Sequence, residues 1–465
     1  MWKLKLRASQ ATLFILYAGI LTGGTEVAPF GRIGAAEVPG EQVPTTRPAA
    51  DELRGLADQI ESVLFQHELG FFYPACVDYD RGGFKHATPA EWKQFTPAQR
   101  EKNLVFQARM VWTAAEVARR RPKVRDEYLG YARHGFAFLR DQMWDREHGG
   151  FYWMVGEAGG PSTRSGTDKH AYGIAFAIYG CANYYLASKD PEALDLAMRA
   201  FAWLERHGHD ARNGGYYESF ARNGEVHLDA SRTHDPSNPS DQMGTRYGFK
   251  SMNAHIHLME AFTTLYEAKS DPTVKARLDE VFRICRDAMT VDPPGCMNQF
   301  FSPDWRALAF ADSFGHDVES TYLLLEAAHA LGDPAPEKTW RIARGLTDHA
   351  LEFGWDEKWG GFVEEGNSWG RIPKNPGKIW WAQAEGLNTL LLMYDRTREP
   401  RYWHDFVKMW EFIRRYGIDE QEGGWRFAVD PINPGTGWKV HPTKAAYHSG
   451  RAMLNVVDRL RAMQP

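Results

Sequence analysis

A Gly-Gly-aromatic step that recurs along the chain restricts its architecture more than any other feature. It appears as Asp80-Arg81-Gly82-Gly83-Phe84, then as Gly149-Gly150-Phe151 after Asp145, Gly214-Gly215-Tyr216 after Asp210, Gly360-Gly361-Phe362 after Asp356, and Gly423-Gly424-Trp425 after Asp419. Successive steps lie about 65 residues apart with one double gap, the signature of a repeated supersecondary unit. In the gap, Asn298-Gln299-Phe300-Phe301 with Asp304 reads as a degenerate copy, which brings the units to six. Paired glycines permit positive φ and a tight reversal, and the aromatic that follows can fold back onto helix ends. Between the steps, stretches such as Asn103 to Arg120, His170 to Ala187 and Leu194 to His207 carry apolar residues at three- and four-residue spacing with few β-branched residues. Each unit is thus two helices and a Gly-rich turn. Six such units predict an all-α chain closed into an (α/α)6 barrel, a toroid of six helical hairpins whose inner helices face a central cavity. An open helical solenoid is the alternative.

Other frameworks find no support. No Rossmann, P-loop or GxSxG pattern occurs where a strand would have to precede it. The 465 residues are 43 % hydrophobic, enough for a large core, and a net charge of −5 with both signs interspersed gives no basic footprint for nucleic acid or an anionic membrane. A small-molecule partner is the expectation, and the oligomeric expectation is a monomer or weak dimer. The 17 Trp residues suit either a core or the C–H faces of sugar rings. Cys76, Cys181, Cys285 and Cys296 lack metal-type spacing and read as buried thiols, so no metal is expected. Lys3, Lys5 and Arg7 precede an apolar run from Ala11 to Leu21, with small residues at Gly34, Ala35 and Ala36, which reads as an export signal over residues 1–36. An uncleaved anchor is the alternative. Residues 37–50 read as a Pro- and Thr-rich linker, residues 51–465 as one catalytic domain, and the location as periplasmic or secreted.

Inner helices of a toroid turn one face to the cavity, so functional groups should appear as polar residues at helical spacing within apolar sequence. Arg109 interrupts the apolar run Lys102 to Trp112, either as a site residue or as a snorkelling arginine. Asn253, His257 and Glu260 fall at i, i+4 and i+7 on one face, whereas His255 points elsewhere and reads as a core histidine. His316 and Glu319 at a helix start can share a face and touch, the carboxylate then fixing the tautomer of a general base. Trp381 shares a face with Glu385, and His448 with Arg451. Two histidines on separate helices, with carboxylates, an arginine and Trp faces, suit proton transfer at a carbon next to a carbonyl. Glycoside hydrolysis would want two carboxylates flanking a glycosidic oxygen, and a binding toroid without turnover is the remaining possibility.

The runs NLVFQARMVW, KSMNAHIHLMEAFTTLYE, SFGHDVESTYLLLEAA, KIWWAQAE and KAAYHSGR occur in this order across roughly residues 55 to 455. Together they resemble the motif set of the cellobiose 2-epimerases within the N-acylglucosamine 2-epimerase superfamily. The resemblance implies an (α/α)6 barrel and a sugar 2-epimerase that needs no cofactor. His316 and His448 would be the acid/base pair at C2, with Glu319 supporting His316. Arg109 and His257 would hold the O1/O2 region, Asn253 would bind nearby, Trp381 and Glu385 would contact the sugar, and Tyr172 in DKHAYGIAF would match a substrate-contacting Tyr. Thr443 departs from the pattern, since members acting on β-1,4-linked disaccharides usually carry Trp five residues before the final His. The implied alternatives are an N-acylglucosamine 2-epimerase and an aldose–ketose isomerase.

Overall fold

The computed structural model describes residues 47–293, 295–308, 311–367, 377–432 and 438–464. The expected export signal and most of the expected linker lie outside them. Twelve helices of ten or more residues fall among the described residues: α1 Ala50–Val63, α2 Leu104–Arg120, α3 Arg125–Phe138, α4 Ala171–Ser188, α5 Pro191–His207, α6 Met252–Ala268, α7 Pro272–Arg283, α8 Phe314–Leu331, α9 Pro336–Phe353, α10 Trp380–Thr397, α11 Pro400–Phe412 and α12 Tyr447–Ala462. The even-numbered helices pack side by side in chain order, and α12 returns against α2, so the ring is closed and is not a solenoid. The odd-numbered helices form the outer layer: α1 lies on α12, and each of the others on the inner helix before it. The fold is therefore the expected (α/α)6 toroid.

The two layers differ in how they are buried. Inner helices α4 and α10 are buried almost all round, whereas outer helices α5 and α11 bury one stripe, including Leu196, Ala200 and Leu204 in α5 and Tyr402, Phe406 and Met409 in α11. Local chemistry sets where the inner helices begin. The Asn103 side chain accepts from the Val105 N–H at 2.9 Å, His170 Nδ1 from the Tyr172 N–H at 3.1 Å, and Ser251 Oγ from the Ala254 N–H at 3.1 Å, each satisfying a first-turn donor that the helix cannot. Outer helices α5, α7, α9 and α11 each open on a proline, whose missing N–H is no loss there.

The glycine steps are tight turns that join outer to inner layer and are read by the next inner helix. At the first, Gly83 has φ +68°, and a Cβ there would fall 2.5 Å from Gln107 Oε1. The close approach lets the Gln107 amide accept from the Phe84 N–H at 2.7 Å and donate to the Phe84 carbonyl at 2.8 Å. Gln383 does the same for Phe362, with both bonds at 2.8 Å. His255 plays this part in the third unit: its Nε2 accepts from the Tyr216 N–H at 3.0 Å while Nδ1 meets the Ser251 carbonyl at 2.7 Å, so it is the satisfied core histidine expected. The same turns carry a buried ion pair. Lys102, Lys169, Lys250 and Lys378, each two residues before an inner helix, bond Asp78, Asp145, Asp210 and Asp356 at 2.7–3.0 Å. Each ammonium also donates to a turn carbonyl, of Gly82, Gly149, Gly214 and Gly360 respectively. In the last unit Lys439 meets Asp419 at 3.2 Å.

The degenerate copy lies three residues upstream of the expected Asn298 to Phe301. The Asn298 N–H donates to the Met289 carbonyl as Tyr152 donates to Met143 and Tyr217 to Gly208, so Gly295-Cys296-Met297 occupies the Gly-Gly-aromatic place. Backbone pairing fixes that register, and with neither the second glycine nor the aromatic present the composition could not reveal it. None of the four cysteines forms a disulfide and all are buried, as expected of buried thiols.

Candidate active site

The N-terminal halves of α2, α4, α6, α8, α10 and α12 bring the predicted residues together at the cavity. Arg109 on α2 is buried; it donates to the Thr443 carbonyl at 2.8 Å and to the Tyr172 hydroxyl at 3.0 Å, and its guanidinium lies over the rings of Phe176 and Tyr447 at 4.3 and 5.0 Å. Tyr172, in the first turn of α4, presents its ring edge-on to His257 of α6 at 5.2 Å. His257 Nδ1 is held by Glu260 Oε2 at 2.9 Å. Burial lowers the His257 pKa in spite of that carboxylate, so the imidazole is neutral. Asn253, one turn earlier and partly exposed, has its buried Oδ1 without a hydrogen-bond partner. A group of this kind beside a cavity is placed to bind a ligand hydroxyl.

The two candidate bases border one tryptophan. The His316 ring lies 4.5 Å from Trp381 and the His448 ring 5.8 Å from it. Gly315 makes the first contact possible, because a Cβ there would come within 2.5 Å of the Trp381 ring. His448 Nδ1 is 2.5 Å from Glu385 Oε1, and its pKa is held well below the ordinary imidazole value by burial and then by the Arg109 and Arg451 charges. His316 Nδ1 is 2.7 Å from Ser313 Oγ. His316 is partly open to the cavity, yet loss of water contact, followed by the neighbouring His257, pushes it down to about 3. Both imidazoles are therefore neutral at physiological pH, the state a general base requires.

Glu319 does not touch His316 as expected. Its Oε1 accepts from Arg451 at 2.6 Å and lies 3.8 Å from His448 Nδ1, because α8 points it at α12, while Ser313 supplies the partner of His316. Arg451 is the centre of a carboxylate cluster: it bonds Glu319, Glu385 at 2.7 Å and Glu260, and Glu260 also accepts from Tyr447 at 2.5 Å. Burial alone would raise Glu260, but the Arg451 charge and the bonds from His257 and Tyr447 keep it below the usual range. Burial and the Glu385 charge instead raise Glu319 to about 8, and its Oε2 is buried without a hydrogen-bond partner. The second oxygen of Glu385 accepts from Tyr322 at 2.7 Å, so Glu385, which the resemblance would place against the sugar, is held by Tyr322 and Arg451 and bonds His448 Nδ1. Trp381, Asn253, Arg109, Tyr172 and His257 remain as the cavity-side set. Sequence reasoning missed Ser313, Tyr322 and Tyr447. Ser313 stood three residues before His316 at a helix start, where a hydroxyl often bonds a nearby group, but nothing local marks the two tyrosines.

A six-hairpin helical toroid whose cavity holds two neutral, separately oriented histidines is an enzyme scaffold for proton transfer. The chain belongs to the N-acylglucosamine 2-epimerase (GlcNAc 2-epimerase) family, which matches residues 91–452. It is 33 % identical over 342 residues to a cellobiose 2-epimerase of Ruminococcus albus, covering 72 % of this chain and 82 % of that one. It is 25 % identical over 436 residues to a D-mannose isomerase of Marinomonas mediterranea, covering 89 % and 99 %. The solved cellobiose 2-epimerase of Spirochaeta thermophila superposes with a TM-score of 0.76 at 32 % identity, covering 89 % of this chain and 98 % of that one.

Proposed function

We propose that this chain is an aldose 2-epimerase that interconverts gluco- and manno-configured sugars by carrying a proton off C2 and returning one to the opposite face. The observation that supports it most is the pair His448–Glu385 and His316–Ser313 on either side of Trp381, two imidazoles held through Nδ1 with Nε2 left for chemistry. With Glu385 accepting the Nδ1 proton, Nε2 of His448 carries a lone pair and acts as a base. The Ser313 hydroxyl can donate to or accept from His316, so that ring can present Nε2 bare or protonated, as a reversible epimerisation asks of its second group. In the open-chain aldose the carbonyl at C1 acidifies the C2 proton. One imidazole takes it, Arg109 and His257 steady the oxygens of the enediolate, and the other imidazole returns a proton to the far face. Glu385, bonded to His448 through Nδ1, stabilises the imidazolium formed in passing. Glu260 and Glu385 are tied up with Arg451, which leaves no free carboxylate pair beside His448 among the described residues for glycoside hydrolysis.

The substrate class proposed is a cellobiose- or mannobiose-type disaccharide or a related monosaccharide. Thr443 holds Arg109 through its backbone carbonyl and bonds His441 through its hydroxyl, so the position orients the arginine but offers no ring platform. The N-terminal pattern supports export to the periplasm or medium, which N-terminal sequencing of the mature protein would check. Among the described residues no helix is long and apolar enough to cross a membrane. A monomer or weak dimer without a nucleic-acid partner completes the proposal, and light scattering tests the assembly. The decisive experiment is proton NMR in D2O with cellobiose, mannobiose, glucose, mannose and N-acetylglucosamine in turn. Deuterium entering C2 together with the C2 epimer is expected for at least one sugar, and no exchange with any of them would overturn the reading.

A further inference from the structure

The fourth turn departs from the others at each of the positions that hold them together, and the departures converge. Asp312 stands two residues before α8, where Lys102, Lys169, Lys250 and Lys378 stand before their helices. Asp317 stands three residues into α8, where Gln107, His255 and Gln383 read the turn in other units, and its Oδ1 accepts from the Met297 N–H at 3.0 Å. Cys296 replaces the second glycine, and Val291 replaces the turn aspartate, since the Gly295 N–H donates to the Val291 carbonyl as Gly214 donates to Asp210. His349 of outer helix α9 completes the group. A cation has been removed from this place and a thiol, two carboxyls and an imidazole put there.

These side chains are all buried. The donor atoms of Cys296, Asp312 and His349 lie within 4.8 Å of one another. His349 Nδ1 is 3.3 Å from Asp312 Oδ2 and 3.6 Å from Asp317 Oδ2. Asp312 and Asp317 share a hydrogen bond between their carboxyls and Asp312 also meets the Ser313 N–H, but apart from these contacts neither oxygen of Asp312 nor Asp317 Oδ2 has a partner, although all three atoms are cut off from water. Two buried carboxyls that face each other with so few other donors are rare, since each loses most of its hydration without full replacement. Tetrahedral zinc places its ligand atoms about 3.5 Å apart, so small side-chain rotations would bring Cys296, Asp312 and His349 to bonding distance, and Asp317 Oδ2, 3.6 Å from His349 Nδ1 but outside that three-residue group, would need a larger one.

We propose that Cys296, Asp312 and His349, with Asp317 Oδ2 as fourth donor, form a structural zinc site that replaces the lysine clamp of the other units. The thiolate, imidazole and carboxylate set matches the ligands zinc prefers, and its dicationic charge does for the carboxylates what the ammonium does elsewhere. Four protein ligands leave no open position, so the metal ties the fourth turn to α8 and α9 and takes no part in proton transfer. Asp312 adjoins Ser313, the partner of His316, so the tie also fixes one end of the candidate site. The inference is independent of the epimerase reading.

The test uses the untagged full chain produced with zinc in the medium. About one zinc per chain is expected by mass spectrometry, together with a fall in Tm on prolonged chelation that added zinc reverses. Replacement by cobalt should give a sulfur-to-cobalt charge-transfer absorption in the near ultraviolet that Cys296→Ala abolishes. Folded wild-type protein without stoichiometric metal and without that absorption overturns the proposal, whatever the variants do. An absorption that survives in a folded Cys296→Ala chain would place the thiolate elsewhere and overturn it equally.

Discussion

The turns and the cavity solve the same problem of buried charge in opposite ways. In the lysine-clamped turns one ammonium meets one carboxylate, and its remaining protons go to carbonyls; Lys250, for example, bonds Asp210, Gly214 and Pro303. Around Arg451 three carboxyl groups share one guanidinium, one carboxyl oxygen has no partner, and two imidazoles next to the cluster stay neutral. Balanced groups hold the toroid, whereas the imbalance leaves groups able to gain or lose a proton. A buried polar network that satisfies itself is structural, and one that does not is where chemistry is to be sought.

If that contrast holds, changes in the cavity should remove activity and spare stability, and changes in the turns should do the reverse. The largest effect is expected from His448→Ala and His316→Ala, each lowering kcat by about 10³-fold or more with Tm little altered, measured by epimer formation and thermal melts. Retained turnover in either folded variant would break the two-base scheme. Lys250→Met comes next: it strands Asp210 and two carbonyls, so urea unfolding should show a loss of about 3 kcal/mol while kcat at 25 °C is nearly unchanged. Glu385→Gln should then cost about 10²-fold in kcat, because an amide orients His448 but carries no charge to offset the imidazolium.

The smallest effect is in pH dependence. Glu319, raised to about 8 in the folded chain, is protonated over a range where the unfolded chain has released that proton, so the folded state binds more protons and loses stability as pH rises from about 4.5 to 8. Glu319→Gln should flatten that slope, measured as Tm against pH. His316 has the opposite sign: with its folded value near 3, the unfolded chain binds the extra proton below about 6.5, and stability falls as pH drops through that range. The acid limb of kcat/KM should accordingly lie well below the ordinary histidine value.

Much of the molecule was legible before any coordinates. The repeat and the three- and four-residue apolar spacing required helical hairpins, and six of them gave the toroid. Polar residues on apolar inner helices, Arg109, His257, His316 and His448 among them, pointed to the candidate site, although Arg109 could also be read as a snorkelling arginine. The fourth turn escaped because its glycine pair and aromatic had been replaced, which leaves composition silent and backbone pairing as the only guide. The lysine clamps escaped for another reason: Lys250 and Asp210 are forty positions apart, so no local pattern joins them.

What the sequence determined by itself was therefore the set of elements and the chemical inventory, since periodicity and residue type are local properties of the chain. Which carboxylate serves which histidine was decided only by tertiary structure. His316 and Glu319 are adjacent on α8, yet Glu319 is directed to Arg451 on α12, and His448 takes Glu385 from α10. Closing the ring brings groups from separate hairpins within hydrogen-bond reach, and in a buried site with little water the strongest charge partner fixes a side chain wherever in the sequence that partner lies.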